Sequence, residues 1–248
     1  RVSMPDGTGL GAVRIEGLPG FSTTDEAGQY VSALPDDWSG AAVPRRPGYL
    51  FHPSGRVYAR VGDDLLAQDY LAQACGVGDA VDATHLAFTT GGHGEWHCQD
   101  EVTYDGSDAA RSGPIADNQE SWIETSVVGP GRVEFMWKVS SEANFDFLEC
   151  YLNGERLDRR ISGEVDWELR QVEVGMGTHT LRWRYAKDSS IARGEDAGWL
   201  DQVRFTATPA TVVGRHVFYN HSAWDGFDAA ANAMDDMAIA IDKAALLP

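Results

Sequence analysis

Apolar and polar side chains alternate with a period of two through much of this chain, and in the first 72 residues no stretch keeps a sustained 3.6-residue apolar period. From Gly131 to Val139 the pattern sets Val133, Phe135, Trp137 and Val139 on one face, the mark of a half-buried strand. Thr178 to Tyr185 repeats it, with Leu181, Trp183 and Tyr185 on one side and Thr180, Arg182 and Arg184 on the other. Trp199, Val203 and Phe205 continue the series, and Leu148, Cys150 and Leu152 share a face just before Asn153-Gly154, a two-residue hairpin signal. The first 72 residues carry shorter extended pieces, at Ala12–Glu16, Tyr30–Leu34, Gly48–Phe51 and Val57–Val61. A tight turn at Thr24–Gly28 and a loop at Pro35–Gly40 separate them. These patterns predict an all-β chain of two β-sandwich domains. The first, over 1–72, is a small all-β unit; the second, over 73–207, is a jelly roll. A C-terminal segment follows over 208–248, the truncated start of a third module. Within it Val212–Tyr219 reads as a strand, Asn220–Asp228 as a loop, and Ala229–Leu247 as a helix or an ordered loop.

Length and charge narrow the function classes. The chain has 248 residues, more than one typical domain, and 38 acidic against 20 basic side chains give a net charge of −18. Such a chain is repelled by phosphate backbones and anionic lipid, so no nucleic acid partner is expected. No apolar run approaches the roughly 20 residues that span a bilayer, so no membrane insertion is expected either. The chain opens at Arg1 without an apolar leader, which reads as a piece of a longer protein. Three cysteines allow at most one internal disulfide: Cys150 sits on the apolar face of its strand as a buried thiol, and Cys75 and Cys98 are the better pair.

Two ordered motif strings carry resemblances. Gly17-Leu-Pro-Gly20, Thr24-Asp25, Gly28-Gln-Tyr30, Trp38-Ser-Gly40, Pro47-Gly-Tyr49, Phe51-His-Pro53, Arg56-Val-Tyr58 and Gln68-Asp-Tyr70 resemble the carboxypeptidase-regulatory-like module, an Ig-like or transthyretin-like sandwich of secreted bacterial proteins. That resemblance covers residues 1–72 and implies a non-catalytic spacer. Phe88-Thr-Thr-Gly-Gly92, Tyr104-Asp-Gly106, Ala109-Ala-Arg-Ser-Gly113, Trp137-Lys-Val-Ser-Ser-Glu142, Gly177-Thr-His-Thr-Leu-Arg-Trp183 and Gly198-Trp-Leu-Asp-Gln-Val203 are similar in layout to MAM-type and cleaved-adhesin jelly rolls. This implies an adhesive or carbohydrate-binding accessory role.

Signatures of catalysis are thin: the chain has no Gly-x-Ser-x-Gly elbow, phosphate loop or dinucleotide fingerprint. His93-Gly-Glu-Trp-His97 only superficially resembles a metalloprotease helix, because Glu does not directly follow the first His and glycines precede it. Calcium is the sharper candidate, since oxygen donors gather in Tyr104–Asp108, in Glu142–Asp146 and in Glu195-Asp196. Asp105, Asp108, Glu142, Asp146 and Asp201 are the candidate ligands. By parity Asp146 and Asp201 point inward, where a lone carboxylate needs a partner: a metal, an arginine such as Arg111, or backbone N–H groups. Sugar recognition uses aromatic rings beside polar side chains. Trp137, Trp183 and Trp199 have core parity, which leaves Trp96, Trp167 and Trp224 as ligand candidates, with Arg182 and Arg184 as outward cations.

The reading is therefore a non-catalytic, extracellular or cell-surface binding region whose partner is a polysaccharide or cell-surface glycan, held by the jelly roll beside neighbouring modules of the same protein. The alternatives are a structural repeat of a surface layer or fibre, or accessory modules of a hydrolase.

Overall fold

The computed structural model describes residues 1–20 and 22–209 and, beyond them, 217–218, 223, 227 and 239–240. Arg1–Ala207 form one compact unit and Thr208–Pro248 a second. The fold is all-β, and the helix α1 (Val77–Ala80) is a single turn. Among the described residues no helix is long and apolar enough to cross a membrane.

The first part of the larger unit contains β1 (Val2–Ser3), β2 (Arg14–Glu16), β3 (Ser22–Thr23), β4 (Trp38–Arg45), β5 (Tyr49–His52), β6 (Arg56–Val61) and β7 (Tyr70–Ala74). They make a three-stranded sheet, β1-β7-β5, and a four-stranded sheet, β3-β2-β4-β6. Val2, Val13, Ile15, Phe51, Tyr70 and Ala72 form the core between them, and the Tyr70 hydroxyl donates to the Ala42 carbonyl at 2.9 Å. The turn at Thr24–Gly28 forms as its sequence predicts: the Asp25 carboxylate accepts the Ala27 and Gln29 N–H groups, and Gly28 takes a positive φ of 74°. Tyr30–Leu34, expected as extended, joins no ladder.

The rest of the unit contains β8 (Phe88–Gly92), β9 (His97–Gln99), β10 (Ala109–Arg111), β11 (Glu120–Ser140), β12 (Phe147–Leu152), β13 (Glu155–Ile161), β14 (Glu164–Ala186) and β15 (Ala197–Ala207). Their ladders run β13-β12-β14-β11-β15-β10-β9, with β8 also on β11. The length of β11 and β14, 21 and 23 residues, is the key to the architecture. Both strands bend at their middles, where the register slips between Gly129 and Gly131. A Cβ at Gly129 would lie 2.1 Å from the Gly175 carbonyl oxygen, so only glycine passes there. Each half-strand then belongs to a different layer. The first half of β11 and the second half of β14 pair with β8 and β12; the other halves pair with each other, and β15 joins that half of β11. Phe135 meets Trp183 edge-on at 5.1 Å although its register partner is Arg170, so this contact crosses between layers. Ile123, Val133, Trp137, Leu148, Leu181 and Tyr185 fill the same core. Asn153 and Gly154 turn β12 into β13 with φ of 53° and 84°, as the dipeptide requires.

A disulfide, Cys75–Cys98, ties the end of β7 to β9, and Arg45 on β4 pairs with Asp100 at 3.4 Å and with Glu101. Leu50 packs against the larger core. In the second unit β16 (Val217–Phe218) pairs antiparallel with β17 (Ile239–Ala240). Two residues of the run read as helix or loop thus form a strand; the rest of that run, and Trp224, lie outside the described residues.

Candidate functional site

Outward positions on one layer carry a dense polar face. On β11 Glu120, Trp122 and Glu124 alternate with buried Ser121, Ile123 and Thr125; on β14 Arg182 and Arg184 alternate with buried Leu181, Trp183 and Tyr185. Register aligns them into two cross-strand rows, Trp122–Arg184–Glu149–Arg160 and Glu124–Arg182–Tyr151–Arg156. The hydrogen bonds run within and between these rows. Arg182 donates its Nε–H to Glu124 at 2.7 Å, and Arg184 donates to Glu120 and to Glu149, each at 2.8 Å. The Tyr151 hydroxyl donates to the same Glu149 oxygen at 2.8 Å, while Arg156 and Arg160 approach the other at 3.6 and 3.5 Å.

Glu149 is therefore an outward residue that is nonetheless 4% exposed at its side chain, roofed by the arginines that neutralise it. Burial alone draws the Arg184 guanidinium down, but the Glu149 hydrogen bond and the charges of Glu149 and Glu120 outweigh it and leave it raised. Tyr151 is raised by burial and then by its bond to Glu149. Guanidinium-on-ring contacts complete the face. Arg182 lies 4.3 Å from the Trp122 ring centre and Arg184 5.1 Å from that of Tyr151. Trp122 lies over Gly91, where a Cβ would fall 2.4 Å from its ring. A groove of about 220 Å³ opens between Glu120, Glu124, Tyr151, Thr180, Arg182 and Arg184. Arg182 and Arg184 were legible from parity; Trp122 and Glu124 carried the same alternating signal, whereas Glu149 and Tyr151 join only through register.

The tryptophan candidates separate. Trp96 is 3% exposed inside the core, not a surface ring: it immediately precedes β9, and the glycine-rich run before it has no alternation from which to read a face. Trp167 is half-buried on the outward side of the other layer, edge-on to exposed Tyr104 with ring centres 6.1 Å apart. Leu169, two residues along the same strand, lines a groove of about 550 Å³ with His85, Glu134, Met136, Gln202 and Arg204. Because β14 bends, Trp167 and the pair Arg182 and Arg184 stand on opposite outer faces, and one ligand cannot touch both.

The five acidic candidates also divide. Asp201 is fully buried and accepts the Tyr104 N–H at 2.8 Å and the Gln202 N–H at 2.7 Å. Burial first, then the charges of Asp105 and Asp82, push its carboxyl up to about 6. Asp108 is pushed up to about 6 by burial and by Asp82, Asp105, Asp79 and Asp100. Asp82, which the sequence did not single out, is raised by burial and by Asp105. Glu142 and Asp146 lie apart from this group, at the entry to β12. There the Glu142 carbonyl accepts the Asp146 N–H, and buried Asp146 accepts the Asp188 N–H at 3.0 Å. Its other oxygen has no hydrogen-bond partner among the described residues. Burial raises the Asp146 carboxyl, and the Asp188 N–H and Lys187 act against that. Arg111 turns instead to Glu195 and Glu101 and lies over Trp199.

Among the described residues, Cys75, Cys98 and Asp108 are the one set of three His, Cys, Asp or Glu donor atoms all within 4.8 Å of one another. Its two sulfurs are joined in the disulfide. Burial lowers His97, on the neighbouring position of β9. Cys150 is a buried free thiol that burial pushes up to about 12.

No family model matches the chain, and no curated protein matches it. Solved structures with similarity include the secreted serine protease VesC from Vibrio cholerae, at 13% identity and a TM-score of 0.37 over 80% of this chain. The match spans 43% of that protein. A family 61 carbohydrate-binding module in complex with β-1,4-galactotriose matches 54% of this chain and 94% of its own, at 13% identity and a TM-score of 0.35. A cleaved adhesin domain of Lys-gingipain from Porphyromonas gingivalis matches 49% of this chain and 91% of its own, at 14% identity and a TM-score of 0.35.

Proposed function

We propose that the jelly-roll sandwich is a non-catalytic carbohydrate-binding module, working outside the cell or at its surface, with the two sheets of residues 1–74 as the spacer that presents it. The observation that carries this reading is the outward face of β11, β14 and β12. There, guanidinium and carboxylate groups fixed by their mutual hydrogen bonds line a groove beside Tyr151, and the Trp122 ring holds Arg182 from its other side, all in place before any ligand arrives. Hydroxyl-rich ligands need such paired donors and acceptors, and preorganised ones cost little ordering on binding. The Cys75–Cys98 disulfide supports an oxidising compartment.

A glycan array probed with the full chain, followed by Trp122→Ala and Trp167→Ala, tests both function and face. Loss of binding with Trp122→Ala alone supports the groove of Arg182 and Arg184. Loss with Trp167→Ala alone moves the site to the opposite face beside Tyr104, and no signal on neutral or acidic glycans refutes the reading.

Calcium belongs to the same proposal. Asp82, Asp105, Asp108 and Asp201 offer hard oxygen donors, and the carboxyls of Asp82, Asp108 and Asp201 are raised by burial and then by neighbouring acidic charge, which a divalent cation would relieve. Equal melting temperatures in calcium and in EDTA at neutral pH would sink it.

A further inference from the structure

Resting on the carbohydrate reading of the Arg182–Arg184 groove, we infer that its ligand is a neutral oligosaccharide and that Glu124 and Glu120 exclude uronic-acid and other anionic glycans. Two outward arginines on a sheet face look at first like an anion site, but in the folded protein neither is a free cation. Arg182 is spent on Glu124 at 2.7 Å, and Arg184 on Glu120 and Glu149, each at 2.8 Å. The groove lining holds two arginines and two glutamates, and so has no net charge. Behind it, outside the groove lining, Arg156 and Arg160 share Glu149 with Arg184 at 3.6 and 3.5 Å.

A sugar carboxylate accepting from the terminal NH2 groups of Arg182 would stand beside Glu124, which holds the Nε–H of the same guanidinium and whose side chain is 26% exposed. Two carboxylates would then share one guanidinium in a partly buried groove, and their repulsion opposes binding. The chain's −18 charge adds repulsion at longer range. A neutral hydroxyl meets no such conflict. It can donate to a carboxylate oxygen of Glu120 or Glu124 and accept from a terminal NH2 of Arg182, which uses only its Nε–H on Glu124. The groove, at about 220 Å³, is smaller than a typical drug-sized pocket and suits one ring, with the rest of the chain lying over its open ends. Glu124 is then the specificity residue: it keeps Arg182 in place for hydroxyls and denies it to anions.

The test uses the full chain and matched probes: tetrasaccharides of β-1,4-glucan and β-1,4-galactan, each also oxidised at C6 to the uronic acid, titrated at low and physiological salt. The wild type should bind at least one neutral tetrasaccharide about tenfold or more tighter than its oxidised twin. Glu124→Gln, checked for an unchanged near-ultraviolet circular dichroism spectrum, should lose that preference or reverse it. Equal or tighter binding of the oxidised probes by the wild type overturns the inference while leaving the carbohydrate reading intact. Binding of neither probe class, or neutral binding untouched by Arg182→Ala, overturns the groove itself.

Discussion

Asp105→Asn is expected to stabilise the protein in EDTA and to weaken its response to calcium. Asp201 and Asp108 both have carboxyls pushed up to about 6 from an ordinary 3.8. A carboxyl raised on folding favours its neutral form. The fold therefore carries no penalty from it below about pH 4, loses stability as pH climbs through 6, and bears the full cost above that. For Asp201 the rise from 3.8 to about 6 corresponds to about 3 kcal/mol. For Asp108, which is partly exposed, solvent screening makes it smaller. Burial is the largest cause at both positions, and Asp105 is the first charge acting on Asp201 and the second on Asp108. Asp105 therefore carries only a minor part of these costs, on the order of 1 kcal/mol. For a unit of this size that is a rise of about 2–4 °C in melting temperature. The substitution is conservative locally, because the Asp105 oxygen that accepts the Ser107 N–H at 2.7 Å has a counterpart in asparagine. Thermal melts in EDTA at pH 8 and pH 5 read both effects. The wild type should melt higher at pH 5 with respect to this cluster, and Asp105→Asn should narrow the difference between the two pH values. Calcium at pH 8 should raise the wild type more than the variant. An Asp105→Asn protein that melts at or below the wild type in EDTA at pH 8 would refute the account of mutual repulsion.

Three further outcomes follow from the geometry. Glu149→Gln removes the carboxylate that three arginines and Tyr151 share in a 4%-exposed position, and chemical denaturation should show a loss of about 2–4 kcal/mol. Replacing Cys75 and Cys98 together with serine frees a loop spanned by a sequence separation of 23 and should cost about 3 kcal/mol, read as a lower denaturation midpoint. Cys150, buried and with a thiol raised to about 12, should not react with a thiol reagent in the native protein and should react stoichiometrically in denaturant; rapid native labelling would contradict its placement.

Local alternation in the sequence was enough to determine the all-β class, the inward faces of Val133–Val139 and Leu181–Tyr185, the Asn153–Gly154 hairpin and the inward carboxylates of Asp146 and Asp201. A period of two reports only which side of its own strand a residue takes. It says nothing of which strands become neighbours, and that is where the tertiary structure decided. The bends in β11 and β14 send Trp167 and Arg182 to opposite outer faces, although they lie on one strand. Non-local register brings Glu149 under Arg184 and buries it despite its outward parity, because arginines on three surrounding positions cover it. Chain packing likewise sets Asp82 beside Asp105, Asp108 and Asp201 while leaving Glu142 and Asp146 at the entry to another strand. Burial of one side chain is a local question of parity, whereas a site is a coincidence of several strands, fixed only when the core between the two layers closes.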